Sequence, residues 1–343
     1  MSNQGLDKAA LWEAKGAEQT VQCLLCAHRC RIPEGGAGIC GVRENQGGVL
    51  YTRAFHGLCS AGADPIEKKP LFHFMPGSRT FSIACMGCNF KCGFCQNWQI
   101  SQTRAGYEKK GHRADPEAIV QTALDQGCAS LAYTYTEPTV FMELCGECGT
   151  LARTAGLKNV FVSNGAMTRE AIDYAKPWLD AINIDLKAFD PAFYRNVCKA
   201  NLDAVLASIE RIANETDIWM EITTLLIPGQ NDDKEQLKRL VEFLVTKAGP
   251  DVPWHVSRFF PQYQWLNLPP TPMDTLEEAC EIGRAGGLNY VYLGNVRGKS
   301  FESTECPGCG AMLIERQGYR IISNRVEQGQ CSDCGLRVPG IHA

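Results

Sequence analysis

The sequence predicts an α/β fold, an incomplete (β/α)6 barrel with a cysteine-rich knuckle before it and a zinc-ribbon-like module after it. Two observations carry the barrel. Short apolar, β-rich runs recur near residues 80–84, 130–135, 159–163, 180–186, 217–227, 253–259 and 290–293. Amphipathic stretches of helical period separate many of them, and such alternation pairs strands in parallel through right-handed crossovers. The chain has 343 residues, and a single α/β barrel occupies roughly 200–250. The expected division is therefore 1–75 for the cysteine-rich region, 76–298 for the barrel and 299–343 for the C-terminal module.

Taken in order, residues 8–17 read as a short amphipathic helix burying Leu11, Trp12 and Ala14. Cys23, Cys26, Cys30 and Cys40 follow, with a glycine turn at 35–38 inside their span. Four thiols so close can tether a metal knuckle. Zinc and a second iron–sulfur cluster both fit, and spacing does not choose between them. His28 reads as a surface histidine. In the barrel, Asp115-Pro116-Glu117 starts a helix with a cap, a proline at the first position and an acidic first turn. Leu202, Val205, Leu206, Ile209 and Ile212 recur at helical spacing, as do Leu237, Leu240, Val241 and Leu244. Cys145 and Cys148 fall within a predicted helix with no partner pair. Residues 269–272 make a stiff, proline-rich connector before the last helix.

Beyond Gly298 the character changes. Cys306-x2-Cys309 and Cys331-x2-Cys334 flank two hairpin-like runs around 312–314 and 319–322. Paired knuckles with such a spacer indicate a zinc ribbon; a four-thiolate iron site is the alternative. Eighteen cysteines without an apolar leader point to metal ligation in a reducing cytoplasm rather than disulfides. A net charge of −4 gives no global pull toward nucleic acid or anionic membranes. No run approaches the roughly 18 apolar residues of a membrane span.

The chemistry is concentrated in Cys88-x3-Cys92-x2-Cys95. Three thiolates in one tight loop can hold three irons of a [4Fe–4S] cube and leave the fourth open. Phe94 stands between the last two ligands, placed to pack on a flat base. Zinc with Cys85 as fourth ligand, and chance clustering, are the bland readings. The loop, with its aromatic Phe94, resembles the signature of the radical S-adenosylmethionine (SAM) superfamily. Residues 64–74 (Asp-Pro-Ile-Glu-Lys-Lys-Pro-Leu-Phe-His-Phe) and 95–101 resemble one branch, the AmmeMemoRadiSam enzymes, relatives of the pyruvate formate-lyase activating enzymes.

That resemblance implies a [4Fe–4S] cluster, SAM, and an electron donor of flavodoxin or ferredoxin type. It also implies Memo-like and AMMECR-like partners and an unnamed substrate. In a parallel barrel the site lies at the carboxyl ends of the strands, and the implied cofactor contacts fall there. Glu137 matches a carboxylate that pairs with the SAM amino group, although Tyr135 and Thr136 replace the family's two glycines. Ser163 and Asn164 are placed for ribose hydroxyls. Asp185 and Lys187 share a strand face, and Lys187 and His255 match SAM-side residues of the activases. Val162 and Thr223 depart from the activase pattern, which has an acid and an arginine there. Glu67, Lys68 and Lys69 either line the barrel mouth or form a solvated charge run. A glycyl-radical activase and a non-catalytic iron–sulfur and zinc protein that transfers electrons or binds RNA remain the alternatives.

Overall fold

The computed structural model describes residues 6–16, 19–102, 111–296 and 300–342. The expected boundary after Gly298 lies outside the described residues. Its centre is one eight-stranded sheet built from β1 (Leu58–Pro65), β2 (Arg79–Cys85), β3 (Ser130–Tyr133), β4 (Lys158–Ser163), β5 (Ala181–Asp185), β6 (Trp219–Leu226), β7 (Trp254–Arg258) and β8 (Val291–Gly294). Neighbours in space are neighbours in sequence, and β1 and β8 are the outermost strands, β1 also bridging His112 through Leu58. β2 to β8 run parallel, while β1 is antiparallel to β2. Between consecutive parallel strands lie α1 (Pro116–Asp125), α2 (Met142–Thr154), α3 (Arg169–Ala175), α4 (Leu202–Glu215), α5 (Lys234–Lys247) and α6 (Met273–Ala285). Six strand–helix units are thus followed by a seventh parallel strand, at the seven places where the sequence shows apolar, β-rich runs. The edge strand β1 also joins the sheet, although the sequence had grouped it with the N-terminal region.

Local chemistry explains the helices. Asp115 Oδ1 accepts from the Ala118 amide at 3.2 Å with Pro116 behind it, and Thr168, Asn201 and Asp233 cap α3, α4 and α5. Val205, Ile209 and Ile212 of α4 are almost fully buried, each contributing about 1.5–3 kcal/mol of apolar transfer. The parallel strands are buried on both faces: all four residues of β3 and four of five in β5 are inaccessible. That is why they read as short continuous apolar runs rather than as alternation.

The N-terminal segment corrects the sequence reading. The expected helix over 8–17 is not formed at 8–16, where strands Asp7–Lys8 and Trp12–Lys15 run instead; Ala17 lies outside the described residues. Trp12 pairs with Cys23 and Lys15 with Thr20, so tertiary pairing overrides a weak local helical pattern. Leu11 and Trp12 are half-buried, and Ala14 is exposed. The segment is tied to α2 by an ion pair between Arg43 and Glu143, both buried. Arg43 Nη1 also donates to the Ala10 carbonyl at 2.9 Å.

The C-terminal module is a three-stranded sheet with a separate two-stranded ladder. It docks on residues 72–75. Arg316 Nη2 donates to the Phe72 carbonyl at 2.7 Å, and Ile341 N donates to the His73 carbonyl at 2.8 Å. A Cβ at Gly340 would stand 2.2 Å from that same carbonyl, so the docking requires glycine.

Candidate active site

The loop after β2 brings Cys88, Cys92 and Cys95 to the carboxyl end of the sheet. Phe90 N donates to Cys88 Sγ at 3.3 Å, and Lys91 N donates to the Cys198 carbonyl at 2.8 Å. A Cβ at Gly93 would lie 2.8 Å from Trp265 Nε1, which fixes how closely the loop approaches the segment after β7. Burial raises the Cys88 and Cys95 thiols, so a bound cation is what would release their protons. Cys85, the alternative fourth ligand, is absent from the cavity wall, and burial raises its thiol well above the usual range. Cys145 and Cys148 are buried in α2.

All three loop cysteines open onto one cavity of about 450 Å³ whose wall takes residues from the ends of every parallel strand. Phe94, Ser163, Asn164, Asp185, Lys187 and His255, all named from the sequence, stand on that wall. Lys187 Nζ donates to Asp185 Oδ2 at 3.0 Å and lies 5.8 Å from the Phe94 ring centroid. Burial works to lower the Lys187 ammonium, but the charges of Asp185 and Cys92 outweigh it and hold it well above the usual lysine range. Asn164 Nδ2 donates to Asn89 Oδ1 at 2.8 Å, so its amide is already spent on the cysteine loop. Thr223, where the activase pattern has arginine, lines the cavity with a buried hydroxyl that has no partner among the described residues.

Glu137 is the exception: it does not line the cavity. Its Oε1 accepts from Thr139 N at 3.0 Å, Thr139 Oγ1 at 2.6 Å and Ser163 Oγ at 2.8 Å, and its Oε2 from Asn164 N at 2.8 Å. The carboxylate is turned inward to hold the β3 and β4 ends together. Tyr135 adopts φ +66°, the left-handed conformation that explains a family preference for glycine there.

The charge run before β2 is not a solvated face. Glu67 and Lys69 are each 1% exposed. Asp64 accepts from Lys68 and Lys69, both at 2.7 Å, from Ser82 at 2.9 Å and from the Tyr135 hydroxyl. Burial would raise the Asp64 carboxyl, but these donors hold it well below the usual range; burial pushes Lys69 down to about 8. On the opposite wall, His255 Nε2 lies 2.7 Å from Glu221 Oε2. Burial alone would raise Glu221, yet the hydrogen bond and charge of His255 hold it below the usual range. His28 is another correction. It is half-buried, with Nε2 2.9 Å from the Asn89 carbonyl.

The sequence did not reveal Phe72, Glu302 and Tyr319, which also line the cavity. The last two come from the C-terminal segment, so the module forms part of the wall. In that module Cys306 and Cys334 Sγ are 3.6 Å apart and Cys309 and Cys331 Sγ 3.8 Å. Four thiolates at about 2.3 Å from a tetrahedral ion stand about 3.8 Å apart. Among the described residues, this is the only set of three or more potential ligands with donor atoms all within 4.8 Å of one another. A groove of about 520 Å³ between α5 and α6 contains no cysteine or histidine.

Residues 83–243 match the family described as the Radical SAM superfamily. A protein of Methanocaldococcus jannaschii, itself uncharacterized, is 42% identical over 333 residues, covering 96% of this chain and 98% of its own. The pyruvate formate-lyase-activating enzyme of Listeria monocytogenes is 28% identical over 56% of this chain and 80% of its own. The chain belongs to the radical SAM superfamily. A solved radical SAM methyltransferase from Sphaerobacter thermophilus shares the fold, with TM-score 0.50 and 16% identity over 66% of this chain and 68% of that one.

As a radical SAM enzyme, the protein belongs to a family that uses a [4Fe–4S] cluster and SAM, and the residues present fit both. Three cysteines converge on the cavity, and Thr223 Oγ1 and Glu67 Oε2 are cavity-wall side chains whose buried polar atoms lack partners. Such atoms carry a desolvation penalty until a ligand meets them. Among the described residues, no helix is long and apolar enough to cross a membrane.

Proposed function

We propose that Cys88, Cys92 and Cys95 hold the [4Fe–4S] cluster and that SAM binds in the cavity beside them, with a substrate entering under Tyr319 and Glu302. Bound there, the cluster, charged with one electron from a flavodoxin- or ferredoxin-type donor, and SAM would supply reductive cleavage of the S–C5′ bond to methionine and, after hydrogen-atom abstraction from the substrate, 5′-deoxyadenosine. The protein's share is orientation and exclusion of water. In this reading Lys187 and His255 face SAM, Thr223 meets its hydroxyl groups, and Phe94 covers the adenine. The observation that carries the proposal is the convergence of the three thiols and the strand ends on one cavity.

The 64–74 and 95–101 motifs support an AmmeMemoRadiSam enzyme working with Memo-like and AMMECR-like partners. A second reading, a glycyl-radical activase, is favoured by the activating-enzyme relatives. The Cys306–Cys309–Cys331–Cys334 set is read as a zinc site. Anaerobically reconstituted, dithionite-reduced protein should convert SAM to 5′-deoxyadenosine and methionine, and alanine at Cys88, Cys92 or Cys95 should abolish it. A verified, reduced [4Fe–4S] cluster that binds SAM without ever forming 5′-deoxyadenosine, even with cell extract supplied, would refute the proposal. Pull-down with the Memo-like and AMMECR-like proteins, set against radical formation on a glycyl-radical enzyme, separates the two branches.

A further inference from the structure

The N-terminal cysteines lie directly against the radical-cluster loop, at two separate places. A Cβ at Gly87, which adopts φ +102°, would meet the Cys40 carbonyl at 3.0 Å and Val42 Cγ2 at 2.5 Å. The residue before Cys88 is therefore held in contact with the loop that carries Cys40. On the other side His28 Nε2 meets the Asn89 carbonyl at 2.9 Å. Ala27 N donates to the Ala166 carbonyl at 3.0 Å, two residues from Asn164.

One side chain spans the gap. Asn89 Oδ1 lies 3.8 Å from Cys88 Sγ, and the Asn89 side chain also faces the Cys26 thiol. Asn89 is fully buried, and among the described residues its Nδ2 has only that thiol to donate to. Arg43 is in the same position beside Cys23. Its Nη1 donates to Cys23 Sγ at 3.3 Å, while its buried Nε has no partner among the described residues. Two buried donor side chains beside two cysteines, one of them with an unmatched Nε, point to acceptor atoms beyond the thiols themselves. The inorganic sulfides of a cluster are such acceptors; a single metal ion offers none.

Thiol spacing argues the same way. The C-terminal four are already gathered as one tetrahedral ion requires, whereas Cys23, Cys26, Cys30 and Cys40 contain no trio whose sulfurs all lie within 4.8 Å. Cys88, Cys92 and Cys95 are likewise too open for one ion. Thiolates on different irons of a cube stand farther apart than thiolates on a shared ion, so the N-terminal set resembles the radical-cluster set and not the ribbon.

We propose that Cys23, Cys26, Cys30 and Cys40 hold a second [4Fe–4S] cluster, and that it passes electrons to the cluster on Cys88, Cys92 and Cys95. One electron leaves a low-potential carrier of the flavodoxin or ferredoxin class and reduces the N-terminal cluster. That cluster is reoxidised by handing the electron on, and no bond forms or breaks in the relay. Only the identity of the acceptor rests on the function proposed above; the N-terminal occupant is measured without SAM.

The test uses the full chain, reconstituted anaerobically with iron, sulfide and zinc. About eight irons, eight acid-labile sulfides and one zinc per chain are expected, from two cubes and one four-thiolate ion. About four irons with two zincs overturns the proposal. Replacing Cys88, Cys92 and Cys95 together by alanine should leave about four irons and a reducible electron paramagnetic resonance signal that SAM does not alter. Loss of all iron overturns it; should that variant fail to fold, the wild-type count decides alone. Photoreduced wild type should give a spin-coupled spectrum, and a plain sum of two isolated signals refutes the relay. A Cys23→Ser/Cys30→Ser variant with a full radical cluster should lose most flavodoxin-driven reduction of that cluster but keep reduction by a small photoreductant. Equal flavodoxin-driven rates also refute the relay. Absence of SAM cleavage in a protein with eight irons would count against the proposed function and leave the second cluster standing.

Discussion

Replacing Glu137 by glutamine separates two roles for the acidic residue at the end of β3. If Glu137 faced the SAM ammonium, the change would remove one charged hydrogen bond, costing on the order of 1.5–3 kcal/mol or roughly 10- to 150-fold in SAM affinity, with stability untouched. The geometry predicts otherwise. Three donors converge on Oε1 and only Asn164 N on Oε2, so the new amide nitrogen fits best at Oε2. There it replaces an acceptor by a donor opposite the Asn164 amide. The lost charge-assisted bond and the stranded buried donor together cost about 2–4 kcal/mol of folding stability. Burial also raises the Glu137 carboxyl, so the folded state holds its proton more tightly than the unfolded state. Its contribution is full below the ordinary carboxyl range and falls as pH rises through the folded value. The glutamine variant should lack that slope. Chemical denaturation across pH and SAM titration are the assays. Unchanged stability with SAM affinity reduced tenfold or more would refute the inward-facing carboxylate.

Other outcomes follow from the same contacts. Arg43→Met should destabilise the protein by about 3–5 kcal/mol, because Glu143 is left buried without its partner; denaturant midpoints measure this. Burial pushes His73 down to about 4 from an ordinary 6.5, so its stabilisation is complete above 6.5 and is lost as pH falls through 4. The full effect is about 3 kcal/mol, and His73→Asn should flatten the acid limb of the stability–pH curve. Cys306→Ala should release metal, lower the melting temperature of the C-terminal hairpin and slow SAM cleavage through the Phe72–Glu221–His255 contacts, without abolishing it as alanine at Cys88 does. Mass spectrometry of the metal-loaded protein and 5′-deoxyadenosine assays check both halves.

Much of the fold was legible because buried parallel strands announce themselves as short apolar runs, and because Asp115, Pro116 and the apolar stripe of α4 are local signals. The N-terminal misreading came from a window too short to establish a period. Leu11 and Trp12 suit a helix or a strand, and Trp12 finds its partner only when Cys23 returns beside it. In the site, residue type at a strand end located Asn164, Asp185 and Lys187 on the cavity wall, and the activase resemblance located His255. What sequence could not encode was direction. Glu137 has the type and position of a ligand-facing acid, but the left-handed turn at Tyr135 and the amides around it draw the carboxylate inward. Glu302 and Tyr319 were hidden for another reason. They reach the cavity through a docking contact between Phe72 and Arg316, 244 residues apart.

That docking contact changes what the 70–74 segment is for. The amides of Phe72 and His73 both donate to Glu221, at 2.9 and 2.8 Å, and Glu221 also holds His255 in the cavity wall. The Phe72 ring lies 4.7 Å from His255 and 4.9 Å from Tyr292, with the Arg316 guanidinium 4.5 Å from its centroid. His73 completes the tie with Nδ1 2.8 Å from the Pro339 carbonyl and Nε2 2.6 Å from the Tyr292 hydroxyl. Five groups from the sheet and the C-terminal module therefore meet on two consecutive residues. A shift of the module cannot leave Phe72 in place without breaking the Arg316 bond, and Phe72 cannot move without disturbing Glu221 and hence His255. The four-cysteine site thus stabilises a piece of cavity wall as well as its own hairpin. The wall that would close over a substrate is physically linked to the histidine that would face SAM.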